Sequence, residues 1–99
     1  MQYKTKSAIV GRSGKRDDSG NGPVFIHLFN VNDPHKQNIV PEKFIDFNKI
    51  HKVKFKAISL NFLLAGSDIL INDLEYIEVE EEKGKKGNLV ITGKQSQEN

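Results

Sequence analysis

Residues 22–31, GPVFIHLFNV, carry a large side chain at almost every position. Successive side chains of a β-strand point to opposite faces, so a strand here has two bulky faces. One face would carry Val24, Ile26 and Leu28. The other would carry Phe25, His27 and Phe29. One of them can supply a core, and the pattern leaves open which one is buried and what the second face contacts.

The size and composition of the chain favour one domain with a modest core. It has 99 residues, of which 36% are hydrophobic and 28% are charged. The absence of cysteine excludes disulfides and thiolate metal sites. No apolar stretch approaches the roughly 20 residues that cross a bilayer. We therefore expect a cytoplasmic protein.

The charges are divided unevenly along the chain. Residues 1–56 hold eleven Lys and Arg against five acidic residues, a balance of +6. Residues 57–99 hold four against eight, a balance of −4. This asymmetry indicates a basic binding region beside an acidic one, unless folding interleaves the two halves.

Strand patterns recur along the chain between segments rich in Gly, Pro and Asn. Strands are predicted for residues 3–11, 22–31, 38–40, 51–66, 69–82 and 89–92. A short helix is predicted for residues 41–50, because Phe44, Ile45 and Phe47 fit helical spacing and Pro41 suits a helix start. This order predicts a mainly β, OB-like barrel of five or six strands over residues 1–92, with one short helix between the third and fourth strands. Residues 93–99 are predicted to be a disordered tail.

The segment 51–66 changes the phase of its alternation. Val53, Phe55 and Ala57 first alternate with lysines, and the apolar set then shifts by one position from Ile58 onward. A bulge or a sharp bend produces such a shift, and long bent strands are common in small barrels.

Motifs for chemistry are missing from the sequence. The three histidines, His27, His35 and His51, lack the paired spacing of metal ligands. No serine stands in a G-x-S-x-G elbow, and the segment GRSGK at residues 11–15 lacks the spacing of a phosphate-binding loop. The sequence therefore predicts no catalytic residue, no metal and no cofactor.

One combination of residues suits single-stranded nucleic acid, which is held by rings that stack on bases and cations that contact phosphates. The candidate rings are Phe25, His27 and Phe29. The candidate cations are Lys52, Lys54 and Lys56, about 7 Å apart on one strand face, and Arg12, Lys15 and Arg16 in a glycine-rich loop. The alternative is that the phenylalanines are core residues and the lysines a solvated face.

The order of strand, basic glycine-rich loop, aromatic strand, short helix, long bent strand, hairpin and acidic end resembles the small OB-fold single-strand-binding proteins of phages and conjugative elements. Residues 38–81, from NIVPEKF through AGSDILINDLEYIEVEE, also resemble the helicase-processivity proteins of integrative conjugative elements. The resemblance implies a non-catalytic accessory that binds single-stranded DNA, rather than RNA, during replication or transfer of a mobile element. A homodimer or a replication protein is an implied partner. The ending GKQSQEN differs from the acidic, aromatic tail of bacterial housekeeping proteins, so recruitment through such a tail is not implied.

Two other functions fit the same residues. The outer face of residues 22–31 would serve equally as a dimer or partner interface, because exposed aromatic residues are typical of such surfaces. The acidic second half would alternatively let the chain mimic a nucleic acid.

Overall fold

The computed structural model describes residues 1–12, 14, 17–59, 61–62 and 68–96, and this part of the chain is mainly β, which confirms the predicted class. Its strands are β1 (Gln2–Lys4), β2 (Ser7–Arg12), β3 (Gly22–Phe29), β4 (Lys43–Ile50), β5 (Lys52–Lys56), β6 (Asn61–Phe62), β7 (Ile69–Ile71), β8 (Leu74–Glu81) and β9 (Asn88–Gln95). The helix α1 spans Pro34–Gln37. Within the described residues, no helix has the length and apolar character needed to cross a membrane.

The strands form two sheets. The four-stranded sheet has the order β1-β8-β9-β5, and the five-stranded sheet has the order β4-β3-β2-β7-β6. Neighbouring strands are antiparallel except for β5 and β9, which are parallel. The described strands thus number nine in two sheets, whereas the sequence predicted five or six strands in one OB-like barrel.

The chain passes from one sheet to the other between β1 and β2, between β4 and β5, between β5 and β6, and between β7 and β8. Local backbone features explain two of these bends. The register of β3 and β4 shifts between Gly22 and Val24, and Lys49 opposite this shift has a φ of 56°, so a β-bulge bends the end of β4. Asp73, between β7 and β8, has a φ of 61°. At the first bend, the buried hydroxyl of Thr5 lies 2.8 Å from the carbonyl oxygen of Phe29.

The core lies between the two sheets and decides which face of β3 is buried. Val24, Ile26 and Leu28 are at most 3% exposed. They pack with buried aliphatic residues of the other strands, among them Ile71, Ile77, Leu89 and Ile91. Val53 and Phe55 of β5 also pack against this core, so the intervening lysines point outward, as the alternation predicted.

Two Asn-Asp pairs join the region before α1 to the β7–β8 bend. The Asn32 side-chain amide donates to the Asp73 carboxylate at 3.0 Å, and the Asp73 backbone N–H donates back to the Asn32 side chain. The Asn72 amide donates to the Asp33 carboxylate at 2.9 Å, and the Asp33 N–H donates back to Asn72. These reciprocal bonds hold two left-handed residues, Asp33 and Asp73, at the surface.

Four sequence predictions about elements are wrong. Residues 41–50 contain strand β4 (Lys43–Ile50) rather than a helix, and the helix α1 lies earlier, at Pro34–Gln37. Residues 38–40 form no strand. The long strand predicted for residues 51–66 is also interrupted, because β5 ends at Lys56, residues 57–59 are in no strand, and β6 pairs in the other sheet. Strand β9 continues to Gln95, so residues 93–95 pair with β8 and do not belong to a tail. Residues 97–99 lie outside the described part of the chain.

Candidate nucleic-acid interface

Three rings meet on the outer face of the five-stranded sheet, and we call Phe25, His27 and Phe44 the ring cluster. The ring centroids of Phe25 and His27 are 4.5 Å apart, and the two planes are tilted by 36°. The rings of His27 and Phe44 are 4.7 Å apart in an edge-to-face arrangement. The Phe44 side chain is 56% exposed, and Phe25 and His27 are half-buried. The cluster is therefore open to a flat ligand.

The pairing of β3 with β4 positions these rings. His27 and Phe44 are direct cross-strand partners, and direct partners project from the same face of a sheet. Phe25 lies two residues before His27 and so shares its face. Burial of Val24, Ile26 and Leu28 in the core turns this second face outward.

Phe29 does not join the cluster, although its spacing placed it with Phe25 and His27. It is only 4% exposed, so it has no open surface for stacking. Phe29 is therefore an interior residue, which was the alternative interpretation of this position. Phe44 takes its place in the cluster, and the sequence analysis missed it because residues 41–50 were assigned to a helix. The alternation of Ile45 and Phe47 around Asp46 was the signal for a strand.

Gly11 makes room for the ring of Phe25. The two residues are direct partners across β2 and β3. A β-carbon placed on Gly11 would lie 2.6 Å from the Cζ atom of Phe25 and would overlap Oδ1 of Asp68. Both side chains therefore lie against the Gly11 backbone, where only a glycine leaves enough space.

Substitution of Gly11 by alanine is expected to displace the Phe25 ring and to lower the free energy of unfolding by about 1–3 kcal/mol, the usual cost of overpacking. Urea denaturation measures the second effect, and NMR ring-current shifts on His27 measure the first. Gly93→Ala is the matched control, because its added methyl group would contact the movable side chains of Ile58 and Leu74 at 3.1 Å. Unchanged His27 shifts in Gly11→Ala would contradict the proposed packing.

The His27 ring is held in its neutral form. Burial lowers the pKa of His27 below its usual value, and the nearby carboxylates of Asp46 and Asp68 oppose that shift without overcoming it. At neutral pH the cluster therefore presents three uncharged rings with two carboxylates beside them. This arrangement suits stacking and disfavours a phosphate directly over the rings.

This lowered pKa predicts a loss of stability in mild acid. Below the unfolded-state pKa of about 6.5 the unfolded chain binds a proton at His27 that the folded chain still rejects, so stability falls as pH decreases to the folded pKa and then levels off. The variant His27→Gln should lack this loss, and His35→Gln on the exposed surface of α1 should retain it. Urea denaturation from pH 7.5 to 5 tests both variants. Equal pH profiles for wild type and His27→Gln would contradict the assignment.

A group of exposed basic residues lies where the β4–β5 bend meets the β8–β9 turn, and we call Lys49, His51, Lys85 and Lys86 the basic rim. The backbone carbonyl of Gly87 accepts bonds from the N–H groups of His51 at 2.7 Å and Lys52 at 3.3 Å, which joins the turn to the bend. Gly87 also approaches Lys49, since a β-carbon on Gly87 would lie 3.7 Å from the Lys49 carbonyl oxygen. Lys85 and Lys86 were not among the cations that the sequence predicted for the site.

Arg12 holds the same bend from the other side. Its guanidinium donates to the carbonyl oxygen of Ile50 at 2.8 Å and to that of His51 at 2.9 Å. Arg12 thus lies at the end of β2 with its side chain directed to the backbone beside the rim. Lys15 and Arg16, the other predicted cations of this loop, lie outside the described residues.

The lysine triplet does not share a surface with the rings. Strand β5, with Lys52, Lys54 and Lys56, pairs with β9 in the four-stranded sheet and is not a neighbour of β3. Because the core separates the two sheets, the triplet and the ring cluster face away from each other. Lys54 also pairs with Glu82 at 3.1 Å. The predicted groove between rings and triplet is therefore not formed.

Comparison with known proteins found no relative of this chain. No protein-family model matches the chain, and no curated protein or solved structure was found to be similar to it. Within the described residues, no group of three or more His, Cys, Asp and Glu side chains is placed to hold a metal ion. The ring cluster and the basic rim are therefore the two features of this surface from which a function can be inferred.

Proposed function

We propose that this protein is a non-catalytic accessory that binds single-stranded DNA across the outer face of its five-stranded sheet. The observation that carries the proposal is the ring cluster, in which three uncharged rings from β3 and β4 lie within 5 Å of their neighbours and remain partly open. Stacking of a base on such a ring contributes about 1–3 kcal/mol. The preference for DNA and a role in replication or transfer of a mobile element come from the resemblance alone.

We also propose an OB-like fold of five strands, three of which bend from one sheet into the other. If β1–β2, β4–β5 and β7–β8 are each counted as one bent strand, the pairings run in a ring through β3 and β9. A ring of five antiparallel and parallel pairings is compatible with a small, partly open Greek-key barrel. OB-folds bind oligonucleotides on the face of their second and third strands. Here those strands would be β3 and β4, which carry the ring cluster.

The charges around the cluster suggest how a strand of DNA would lie. The carboxylate of Asp46, opposite Phe25, disfavours a phosphate at the rings but accepts hydrogen bonds from base amino groups. The phosphates would be contacted at the basic rim. From His27 to Gly22, where β3 pairs with Ile50 beside the rim, the strand covers about 17 Å. A bound segment would therefore be a few nucleotides long.

A salt series tests this division of contacts. Fluorescence anisotropy of a labelled DNA of about 12 nucleotides should show affinity that falls with salt, with duplex DNA binding more weakly. The double variant Lys85→Ala, Lys86→Ala should reduce the slope of log K against log salt by about 1.4, since each phosphate contact on a single strand contributes about 0.7. Lys56→Ala, on the outer face of the four-stranded sheet and away from the rim, is the matched control and should leave the slope nearly unchanged. Absence of binding at low salt would refute the proposed function.

A second candidate is a protein-interaction surface on the same face. Ile39, Val40 and Phe44 are exposed apolar residues close together in the chain, and Val40 is 74% exposed. Light scattering distinguishes the two functions. A dimer that is lost in Phe44→Ala, together with no oligonucleotide affinity in the wild type, would favour the protein interface.

The third function, mimicry of a nucleic acid, has less support. The outward carboxylates of Glu78 and Glu80 on β8 share their sheet face with lysines of β5. A mimic needs a uniformly negative surface, and this face carries both signs of charge.

A further inference from the structure

Three cross-strand rows on the outer face of the four-stranded sheet are divided by charge, and a fourth row, Lys4–Tyr76–Lys94, lies beyond them. Each of the three rows has a lysine on β5, an uncharged residue on β9 and a glutamate on β8 or directly after it. The rows are Lys52–Asn88–Glu82, Lys54–Val90–Glu80 and Lys56–Thr92–Glu78. The three lysines thus form one stripe, the three glutamates form another, and β9 separates them.

This face is open among the described residues. A groove of about 460 Å³ lies over Val90 and is lined by Lys54, Lys56 and Glu80, together with residues at the start of the β8–β9 turn. Lys54 and Glu82 form an ion pair at 3.1 Å. The ion pairs of the described chain do not include Lys56, Glu78 or Glu80. Each of the three rows therefore carries at least one charge that forms no ion pair within the described residues.

We propose that this face is a docking surface for a second copy of the same chain. The argument is charge complementarity under two-fold symmetry. Adjacent strands are about 4.8 Å apart, so the two stripes lie at equal distances on either side of β9. A two-fold axis parallel to β9 and above the face exchanges the stripes and keeps each row at its own height. Lys56 then faces Glu78 of the second copy, and Lys54 faces Glu80.

The same charges exclude the other simple orientation. A two-fold axis perpendicular to the strands would place lysine stripe on lysine stripe and glutamate stripe on glutamate stripe. Like charges brought together in this way are strongly unfavourable. Asn88, Val90 and Thr92 of β9 lie on the symmetry axis in the favoured orientation, where Val90 packs against Val90 of the second copy. Lys94, further along β9, also lies on this axis, and its charge is paired with Glu75 at 3.7 Å.

The dimer is expected to be weak and sensitive to salt. Three strands and five residues along each strand cover on the order of 300 Å² per copy, well below the roughly 800 Å² of a standard interface. Exposed ion pairs contribute little each and are screened by salt. The ring cluster lies on the outer face of the other sheet, so the dimer leaves it open and the inference does not depend on the proposed function.

Charge reversal in the third row tests the proposal, because Lys56 and Glu78 are free of the Lys54–Glu82 pair. Sedimentation velocity at about 50 mM salt should show self-association that is lost near 500 mM. Lys56→Glu and Glu78→Lys should each weaken it about tenfold or more, because two attractive contacts in the dimer become repulsive. The double variant should restore self-association, and a mixture of the two single variants should form a heterodimer. Lys36→Glu, on α1, is the control and should change nothing.

Several results would overturn the proposal. They are a monomer at every concentration in low salt, a dimer insensitive to both reversals, and a double variant as weak as the single ones. Circular dichroism of each variant establishes that it is folded, and the exposed position of Lys56 makes a folding defect in its reversal easy to exclude.

Discussion

The double variant Phe25→Ala, Phe44→Ala is expected to weaken binding of single-stranded DNA about 30-fold or more. Each ring contributes on the order of 1–3 kcal/mol when a base stacks on it, and 2 kcal/mol corresponds to a factor of about 30. The loss should appear as a faster dissociation rather than a slower association, because stacking is a short-range contact. Anisotropy titration at constant salt measures the affinity, and stopped-flow displacement measures the dissociation rate.

The single variants separate stacking from folding. Phe44 is largely exposed, so Phe44→Ala should change the free energy of unfolding little while it weakens binding. Phe44→Tyr keeps a flat ring and should retain most of the affinity. Val40→Ala removes another exposed apolar side chain outside the cluster and serves as the control. Equal affinity of Phe44→Ala and wild type would remove the reason for placing DNA on this face.

Arg12→Ala is expected to lower the free energy of unfolding by about 2–3 kcal/mol. Its guanidinium bonds the carbonyl groups of Ile50 and His51, and hydrogen bonds from a charged donor contribute about 1.5–3 kcal/mol each, less where they are exposed. Lys offers no planar fork, so Arg12→Lys should recover only part of the loss. Urea denaturation measures the difference.

Arg12 was predicted as a contact to nucleic acid, and the same variant decides between the two roles. Lys36→Ala removes an exposed cation on α1 and should alter stability by less than about 0.5 kcal/mol. If Arg12→Ala is as stable as wild type and yet binds DNA more weakly, then Arg12 contacts the ligand. If it is less stable, its function is to hold the β4–β5 bend beside the basic rim.

The two sheets divide the surface chemistry of the molecule. The outer face of the five-stranded sheet carries uncharged rings, with carboxylates beside them and cations at one end. The outer face of the four-stranded sheet carries opposite charges in separate stripes. A change on one face can therefore be measured without disturbing the other.

Much of the local structure could be predicted from alternation. The segment with Lys52, Lys54 and Lys56 was expected to have an apolar face and a basic face, and Val53 and Phe55 do pack against the core. The prediction failed at residues 41–50, because an apolar residue, Phe44, stands on the outer face beside the inward-facing Ile45 and Phe47. An exposed phenylalanine in a strand has the same sequence spacing as one side of a short helix. Six residue pairs with β3 decide in favour of the strand.

The candidate site was predictable only in part for a related reason. Phe25 and His27 were identified from residues 22–31, but Phe44 enters the cluster through cross-strand pairing, and the basic rim forms where two turns far apart in sequence meet. Local spacing holds no information on such contacts.

Alternation along the chain was enough to predict the mainly β class and the two faces of β3 and β5, because side-chain direction in a strand has a strict period of two. The sheet to which each strand belongs is seen only in the folded protein. Strand β5 pairs with β9, which is more than 30 residues later in the chain, and this long-range choice carries the lysine triplet away from the rings. The partner of a strand is selected by packing of the whole core, so its position on the surface cannot be inferred from its own residues.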